Sequence, residues 1–500
     1  MKVVLTLLVT VFFLTYFFKG SVFLDPDFGW HLMAGKEVLE GGVASTDPFS
    51  YTMPSYPFVD HEWLTNILMA LAYPTIRERG MSLFFTLIAI FALVLTIRNP
   101  LSRKFEREYF KEKFILLFGL GCGVLLPYFG VRPQVQSWLF LAILLRIVLN
   151  VSVWKKLRFI LPVLMVAWVN LHGSFAEGVF VVIVVIAARS LRFKKIDYKD
   201  LFSVVLVVFA TFLNPYTFRI WWEVWMQITD SSLRWSINEW QPALFSVHFS
   251  YIILLGLSLG LLYIYRNKFL LEEKVLYLFL LVQGLSSTRH VPLWSILALP
   301  MLSVSIDYLI TEIKNIPFAK VRLKKVYILL LALTIVILFF EIYNGVSASR
   351  KLGEAEFYPK GAVEYLKAKN YDGNIFSTYG WGGYLIWRYP EKKVFIDGRM
   401  PSWRREDVPN GELASAFDTY KMILSGEEDY QVVFNNYNIK VVLWSKNEKL
   451  ALSKAEKKVR ELFKWLNTNF SDFNLLQDIK NSGWKMVYED EVATIYIINE

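Results

Sequence analysis

The feature that most limits the fold is a series of apolar blocks. Each is about as long as a helix needs to cross the ~30 Å hydrocarbon core of a bilayer at 1.5 Å per residue. The blocks run at 3–24, 81–97, 114–130, 135–151, 157–171, 174–191, 201–214, 249–265, 274–287, 291–308 and 326–345, which predicts about 11 helices. With 55% of its residues hydrophobic, the chain has more apolar surface than a water-soluble core requires. The first block follows Met1-Lys2 as a signal peptide would. Lys19-Gly20-Ser21-Val22-Phe23 lacks the small-residue cleavage pattern, so a retained first helix is expected.

Charge gives the blocks a direction. The net charge is +10, yet residues 351–500 carry 21 basic and 22 acidic side chains. The positive excess therefore lies in the short loops of residues 1–350, which favours membrane topology over nucleic-acid binding as its cause. Arg98, Arg103, Lys104, Arg107, Lys111 and Lys113 crowd one loop, and basic clusters recur at 155–158, 189–199, 266–274 and 314–325. The intervening loops hold almost no cations: Lys36 alone in 25–62, Arg132 alone in 131–134. If the ambiguous segment 63–76 lies flat in the interface, every basic loop falls in the cytoplasm; if it spans, they fall outside. The first arrangement is adopted. It predicts a multi-pass protein of the cytoplasmic membrane with its N-terminus inside. Residues 1–345 form the transmembrane domain, with 25–80 as a long first extracytoplasmic loop.

Residues 351–500 change texture. Pro359–Lys369 and Ala451–Leu466 read as amphipathic helices. Val394–Ile396, Lys440–Trp444, Trp484–Tyr488 and Val492–Ile498 read as strands, so a soluble extracytoplasmic α/β domain is expected. The fold class is thus mostly α, a helical bundle followed by this domain. The lone Cys122 sits in an apolar block and reads as a small buried hydrophobe.

On the predicted topology all five histidines, His31, His61, His172, His248 and His290, fall at outer ends or in outer loops. Directly after the first block comes Asp25-Pro-Asp27-Phe-Gly-Trp30-His31, followed by Thr46-Asp47-Pro-Phe-Ser50 and Asp60-His61-Glu62-Trp63. Two carboxylates one residue apart at a helix mouth can deprotonate a hydroxyl, hold a divalent cation or orient a substrate hydroxyl; the plainer alternative is a cap on the next helix. Glu177, one turn into a block, is costly near hydrocarbon unless it faces a polar cavity. Arg289, before His290, suits a phosphate oxyanion or else snorkels to the interface. Trp221, Trp222, Trp225, Trp235 and Trp240 read as an interfacial belt or as a sugar or lipid platform. Asp397 and Arg399 either contact the membrane domain or an acceptor, or pair with each other.

This pattern resembles the GT-C class of membrane glycosyltransferases: many helices, an acidic motif just after the first, interfacial helices in a long first outer loop, and a soluble domain after the last span. The stretches Asp25–His31, Thr46–Ser50 and His61–Trp63 also resemble a bacterial set of membrane proteins that share them. The resemblance implies transfer of a sugar from a polyprenyl-phosphate-type donor to an acceptor on the extracytoplasmic face. It implies Asp25 and Asp27 as the catalytic pair, either base or metal ligand, with Mg or Mn as the conceivable ion. It implies that Arg289 holds the lipid phosphate. His31, Asp60, His61, Glu62, His172, Glu177 and His290 are the further candidate substrate-binding residues. Tyr379-Gly-Trp-Gly-Gly-Tyr384-Leu-Ile-Trp387 is faintly similar to the acceptor-reading segment of oligosaccharyltransferase catalytic subunits, but it lacks their Trp-Trp-Asp and reads otherwise as a glycine-rich turn. The competing function classes are a lipid-linked-sugar flippase, which would place charges at mid-membrane, and a non-catalytic envelope scaffold.

Overall fold

The computed structural model describes residues 2–99, 101, 110–243, 248–314, 351, 353–446 and 473–498, together with single positions between 325 and 347. The helix expected at Ala451–Leu466, and most of the block 326–345, lie outside the described residues. The chain is mostly helical with one four-stranded sheet. It divides into two compact units that do not follow chain order. Unit 1 comprises residues 1–23 and 61–350; unit 2 joins residues 24–60 to residues 351–500. The stretch 24–60, read from the sequence as part of the first outer loop, thus shares a unit with the soluble segment.

The helices of residues 1–314 are α1 Lys2–Val22, α2 Phe28–Gly41, α3 Trp63–Ile97, α4 Phe110–Leu125, α5 Gln134–Val148, α6 Val151–Leu157, α7 Leu161–Leu171, α8 Phe175–Phe193, α9 Tyr198–Ala210, α10 Arg219–Thr229, α11 Ser231–Ser236, α12 Phe249–Ile264, α13 Leu271–Ser286 and α14 Val291–Lys314. All but α2 belong to unit 1. The apolar blocks map onto these helices, while α2 and α10 arise where no block was expected. Two described helices, Trp63–Ile97 and Thr288–Lys314, are long and apolar enough to cross a membrane, or three spans if the bent pair α5 and α6 counts as one; Thr6–Val22, Leu161–Leu171 and Phe249–Ile264 are shorter apolar helices. In α3, Pro74 removes a helical donor, and the run breaks at Arg77 (φ 53°, ψ −166°), between segment 63–76 and block 81–97.

The caps explain several boundaries in unit 1. Asn150 Oδ1 accepts from the Ser152 and Val153 N–H groups to start α6, and Asp197 accepts from Lys199 N–H to start α9. Helices α8 and α13 run antiparallel, because Glu177 near the start of α8 meets Gln283 near the end of α13, while Arg192 at the far end of α8 meets Glu272 at the start of α13. The two ends of this unit carry different chemistry. Near the α13 start, Arg192 makes a two-pronged contact with Glu272 (2.9 and 2.7 Å), and Arg158 binds Asp197 and Asp200. The opposite end holds the candidate residues described below.

Unit 2 is built on a sheet in the order β1 Asn374–Ser377, β2 Ile439–Ser445, β4 Ala493–Ile497, β3 Lys485–Glu489. Strands β1 and β2 are parallel, and β2–β4 and β4–β3 are antiparallel. Central β2 is almost wholly buried, as its apolar run Val441-Val-Leu-Trp444 requires. The strand expected at Val394–Ile396 is reduced to bridges from Val394 to Ile375 and to Ser50, so chain 49–52 lies beyond the β1 edge. Val394 N–H donates to Phe49 O and Tyr51 N–H to Val394 O. Helix Lys360–Lys369 forms where the pattern predicted, burying Ala362, Val363 and Leu366 in a core shared with Trp30, Phe49, Trp381, Tyr384 and Leu385.

Candidate functional site

In unit 2 the motif residues organise one another. Asp25 is buried, and its Oδ1 accepts from Asp27 N–H at 3.0 Å while its carbonyl accepts from Phe28 N–H. Asp27 stands at the N-cap position of α2, and its Oδ1 accepts from the Trp30 indole N–H at 3.0 Å. The Trp30 ring lies against that of buried His31, 3.7 Å between centroids. Helix α2 packs on the helix Gly382–Arg388 through their backbones: a Cβ on Gly383 would strike Pro26 O, and one on Gly29 would strike Gly383 O. This corrects the glycine-rich turn expected at 379–387. The segment is a 3-10 turn at Tyr379–Trp381 followed by a helix, and Gly382 and Gly383 are needed where it meets the backbone of other segments.

The Thr46–Ser50 motif is equally tied down. Asp47 accepts from Phe49 and Ser50 N–H (3.2 and 2.9 Å) and pairs with Arg399 Nη2 at 2.8 Å. Arg399 also grips Asp397 through Nε (2.8 Å) and Nη2 (2.6 Å). Of the two alternatives for Asp397 and Arg399, mutual pairing is the one found. The guanidinium is buried among Trp30, Phe49, Phe58 and Trp403, all with ring centroids within 5.9 Å. Burial works against its charge, but Asp397 and Asp47 outweigh that and hold its pKa above the ordinary arginine value. Asp60 is also buried in this unit.

In unit 1 the remaining candidates gather at one end. His61 and Glu62 precede α3, and His172 caps the end of α7. Glu62 Oε1 lies 3.2 Å from His172 Nε2 and 3.8 Å from His61 Nε2. Gly173 lets the His61 ring lie beside it, since a Cβ there would come within 2.7 Å of that ring. His172 Nδ1 meets Ser137 Oγ at 2.9 Å, and Ser137 in turn accepts from Trp168 Nε1 at 2.9 Å. Trp63 Nε1 donates to Asn170 Oδ1, and Thr65 Oγ1 to Leu171 O, so α3 is fastened to the end of α7.

Five residues before Ser137, Arg132 is ion-paired with Glu239, whose carbonyl accepts from Ser287 and Thr288 hydroxyls (3.0 and 2.8 Å). Arg289 lies over the Trp240 ring at 4.6 Å, and the His290 ring meets Trp240 edge-on at 6.1 Å. Burial tends to raise the Glu239 pKa, but Arg132 and Arg289 together bring it below the usual carboxylate range. Glu177 Oε2 accepts from Gln283 Nε2 at 2.9 Å; Glu177 Oε1 and Gln283 Oε1 are buried with no hydrogen-bond partner among the described residues. The tryptophans of the expected belt divide: Trp221 donates to Thr211, whereas Trp222 and Trp225 on α10 are exposed.

No family model matches the chain, and no curated protein matches it. The solved structures that align with it include two crystal structures of ArnT from Cupriavidus metallidurans, one bound to undecaprenyl phosphate and one in the apo state. Each alignment covers 98% of this chain and 97% of the other at 11% identity, with TM-scores of 0.47 and 0.49.

Among the described residues no group of three or more His, Cys, Asp or Glu side chains is arranged to hold a metal ion. Asp25 Oδ1 and Asp27 Oδ1 each already accept a hydrogen bond. Ser137, Trp168, Arg132, Gln283 and Trp240 are site residues that no motif marked by role. Ser137 is a hydroxyl inside an apolar block and Gln283 an amide inside another, Arg132 is the lone cation of its loop, and Trp240 was one of the expected belt tryptophans.

Proposed function

We propose that this protein is a multi-pass glycosyltransferase of GT-C type in the cytoplasmic membrane. It moves a sugar from a polyprenyl-phosphate-type lipid to an acceptor on the extracytoplasmic face. The observation that carries the reading is the makeup of one end of unit 1: a carboxylate between two imidazoles, and an arginine stacked on tryptophan beside a second arginine. Near the opposite end the described contacts include the ion pairs of Arg158 with Asp197 and Asp200 and of Arg192 with Glu272. An arginine on an indole face suits a lipid phosphate, because its N–H fork can bond two oxygens of the tetrahedral phosphate. A carboxylate near the acceptor serves to take its proton, and a cation stabilises the departing phosphate. On this reading Asp25 or Asp27 is the base. In unit 1, His61, Glu62, His172, Glu177 and His290 are proposed to bind substrate and Arg289 to meet the phosphate; in unit 2, His31 and Asp60 are the substrate-binding candidates.

The test is transfer of a radiolabelled sugar from a synthetic polyprenyl-phosphate donor by the full chain in lipid nanodiscs. Asp25→Asn with Asp27→Asn is expected to cut transfer by roughly 10²–10⁴-fold while the protein stays folded. Undiminished transfer by that variant would remove both residues from the chemistry. Movement of the labelled lipid across the bilayer with no covalent product would make the protein a flippase.

A further inference from the structure

The end of unit 1 opposite the candidate residues holds basic clusters that the predicted topology turns towards the cytoplasm. Residues 155–158 and 189–200 carry eight arginines and lysines against two acids, Asp197 and Asp200. Lys155, Lys156, Lys194, Lys195 and Lys199 are exposed, whereas Arg158 is 7% exposed and Arg189 5%. A buried guanidinium is tolerated when its N–H groups meet oxygens. Those of Arg158 do so on one side only. Its Nη1 makes both carboxylate contacts, one with Asp200 and one, at 3.3 Å, with Asp197. Its Nε is buried with no hydrogen-bond partner among the described residues, and its Nη2 makes no hydrogen bond or ion pair among them. Nε and Nη2 form the edge that grips a carboxylate or phosphate through two parallel bonds. Arg192 uses that same edge on Glu272, at 2.9 and 2.7 Å. Arg189 shares the shortage of oxygens. Its Nη2 donates to Val148 O and its Nε stays 3.7 Å from Glu272, while Nη1 is buried without a partner among the described residues. The Trp154 indole donates to Asp200 at 2.7 Å and Asp197 caps α9, so the carboxylates that aim Arg158 are themselves fixed.

The surroundings of this edge narrow the ligand. The Arg158 guanidinium lies 5.3 Å from the centroid of the Phe159 ring, and Phe159 in turn meets Phe202. Phe159, Ile160, Tyr198, Leu201 and Phe202 are all exposed. A free anion gains nothing from an apolar rim. Exposed apolar side chains beside lysines suit the boundary between headgroups and acyl chains. We propose that Arg158 anchors a binding site for an anionic phospholipid. The Nε–Nη2 edge takes the phosphodiester, the exposed lysines select a headgroup of net negative charge, and Phe159, Ile160 and Phe202 meet the acyl chains. The site is separate from sugar transfer and, on the predicted topology, belongs to the cytoplasmic leaflet.

Native mass spectrometry of the full chain in detergent, titrated with phosphatidylglycerol or with phosphatidylcholine, reads the binding. The wild type is expected to bind phosphatidylglycerol roughly tenfold more tightly than phosphatidylcholine. Equal affinities overturn the proposal. Arg158→Lys keeps the charge and loses the two-bond edge. It should weaken phosphatidylglycerol binding roughly 10- to 100-fold, the size of a lost hydrogen bond to a charged group. Wild-type affinity in that variant would leave only general attraction to a basic surface, and overturns the site. Inorganic phosphate in large excess should not displace the lipid; displacement would make this a free-phosphate site and overturns the lipid as its occupant. Because Arg158→Lys also touches the Asp200 pair, a measurement on the wild type stands beside it. A photoactivatable phosphatidylglycerol in nanodiscs should label the full chain within 155–160 or 197–202. Labelling confined to other segments overturns the proposal whatever the variant does.

Discussion

The two units hold their charged motif residues by different means. In unit 2, Asp47, Asp397 and Arg399 form a closed, buried group walled by four aromatic rings, and Asp25 and Asp27 are fixed by turns and by glycine contacts between two backbones. In unit 1, Glu62, His172 and Ser137 form a chain held through single hydrogen bonds between separate helices. The first arrangement is rigid because desolvated charges leave few acceptable geometries. The second can be retuned one bond at a time. Thr46–Ser50 and Ile396–Arg399 are thus tied into a buried ion-pair group, and His61–Trp63 into contacts with the end of α7.

The largest expected effect breaks the unit 2 side. Arg399→Leu leaves Asp47 and Asp397 buried without their cation, which should destabilise unit 2 by about 3–5 kcal/mol. Limited proteolysis of the full chain would show cleavage within 351–500 at a denaturant concentration the wild type resists. Next comes Gly383→Ala, whose methyl overlaps Pro26 O. It should cost about 1–3 kcal/mol by thermal melting, whereas Gly41→Ala, with open space at its Cβ, should be close to neutral. Retention of full stability by Gly383→Ala would mean the two helices do not meet as described. On the unit 1 side, Trp63→Phe removes one bond to Asn170 and should cost about 1 kcal/mol.

The smallest effect is a pH one. Glu239 titrates below its ordinary range when folded, with burial opposing and Arg132 and Arg289 favouring the shift. Its contribution to stability is present above the pKa of an ordinary glutamate and is lost as the pH falls through the lowered, folded value. Glu239→Gln should therefore lower stability slightly at neutral pH, leave the acid limit almost unchanged, and so flatten the acid side of the stability curve. An unaltered acid limb would show that the Arg132 pair is formed without consequence.

The apolar blocks foretold α1, α4, α5, α7–α9 and α12–α14 because a span-length apolar run has few other folds open to it. Helix Lys360–Lys369 and strands β2, β3 and β4 were legible from periodicity. Strand β1 was missed: Asn374-Ile-Phe-Ser377 is four residues long, and its partner β2 lies more than sixty residues away. Helix α2 was missed because its buried face is matched to glycines 350 residues further on, not to a pattern of its own. His61, Glu62 and His172 were each named as candidates from the sequence, but their grouping and the place of Ser137 were not legible there, since both depend on contacts between helices. Asp47 was read only as part of a motif; its partner Arg399 is visible in no local spacing.

One feature of the fold bears on how the protein is made. Unit 2 is assembled from residues 24–60 and 351–500, so α2 and the Asp47 turn emerge from the ribosome well before the sheet they join. At a synthesis rate of ~5–20 residues per second, that early segment waits on the order of 15–60 s for its partner. During this interval Phe49, Trp30 and Asp47 have neither the core nor the guanidinium that later encloses them. A chaperone, or the membrane surface itself, would have to shelter them, and a chain cut short near residue 350 would leave that need permanent.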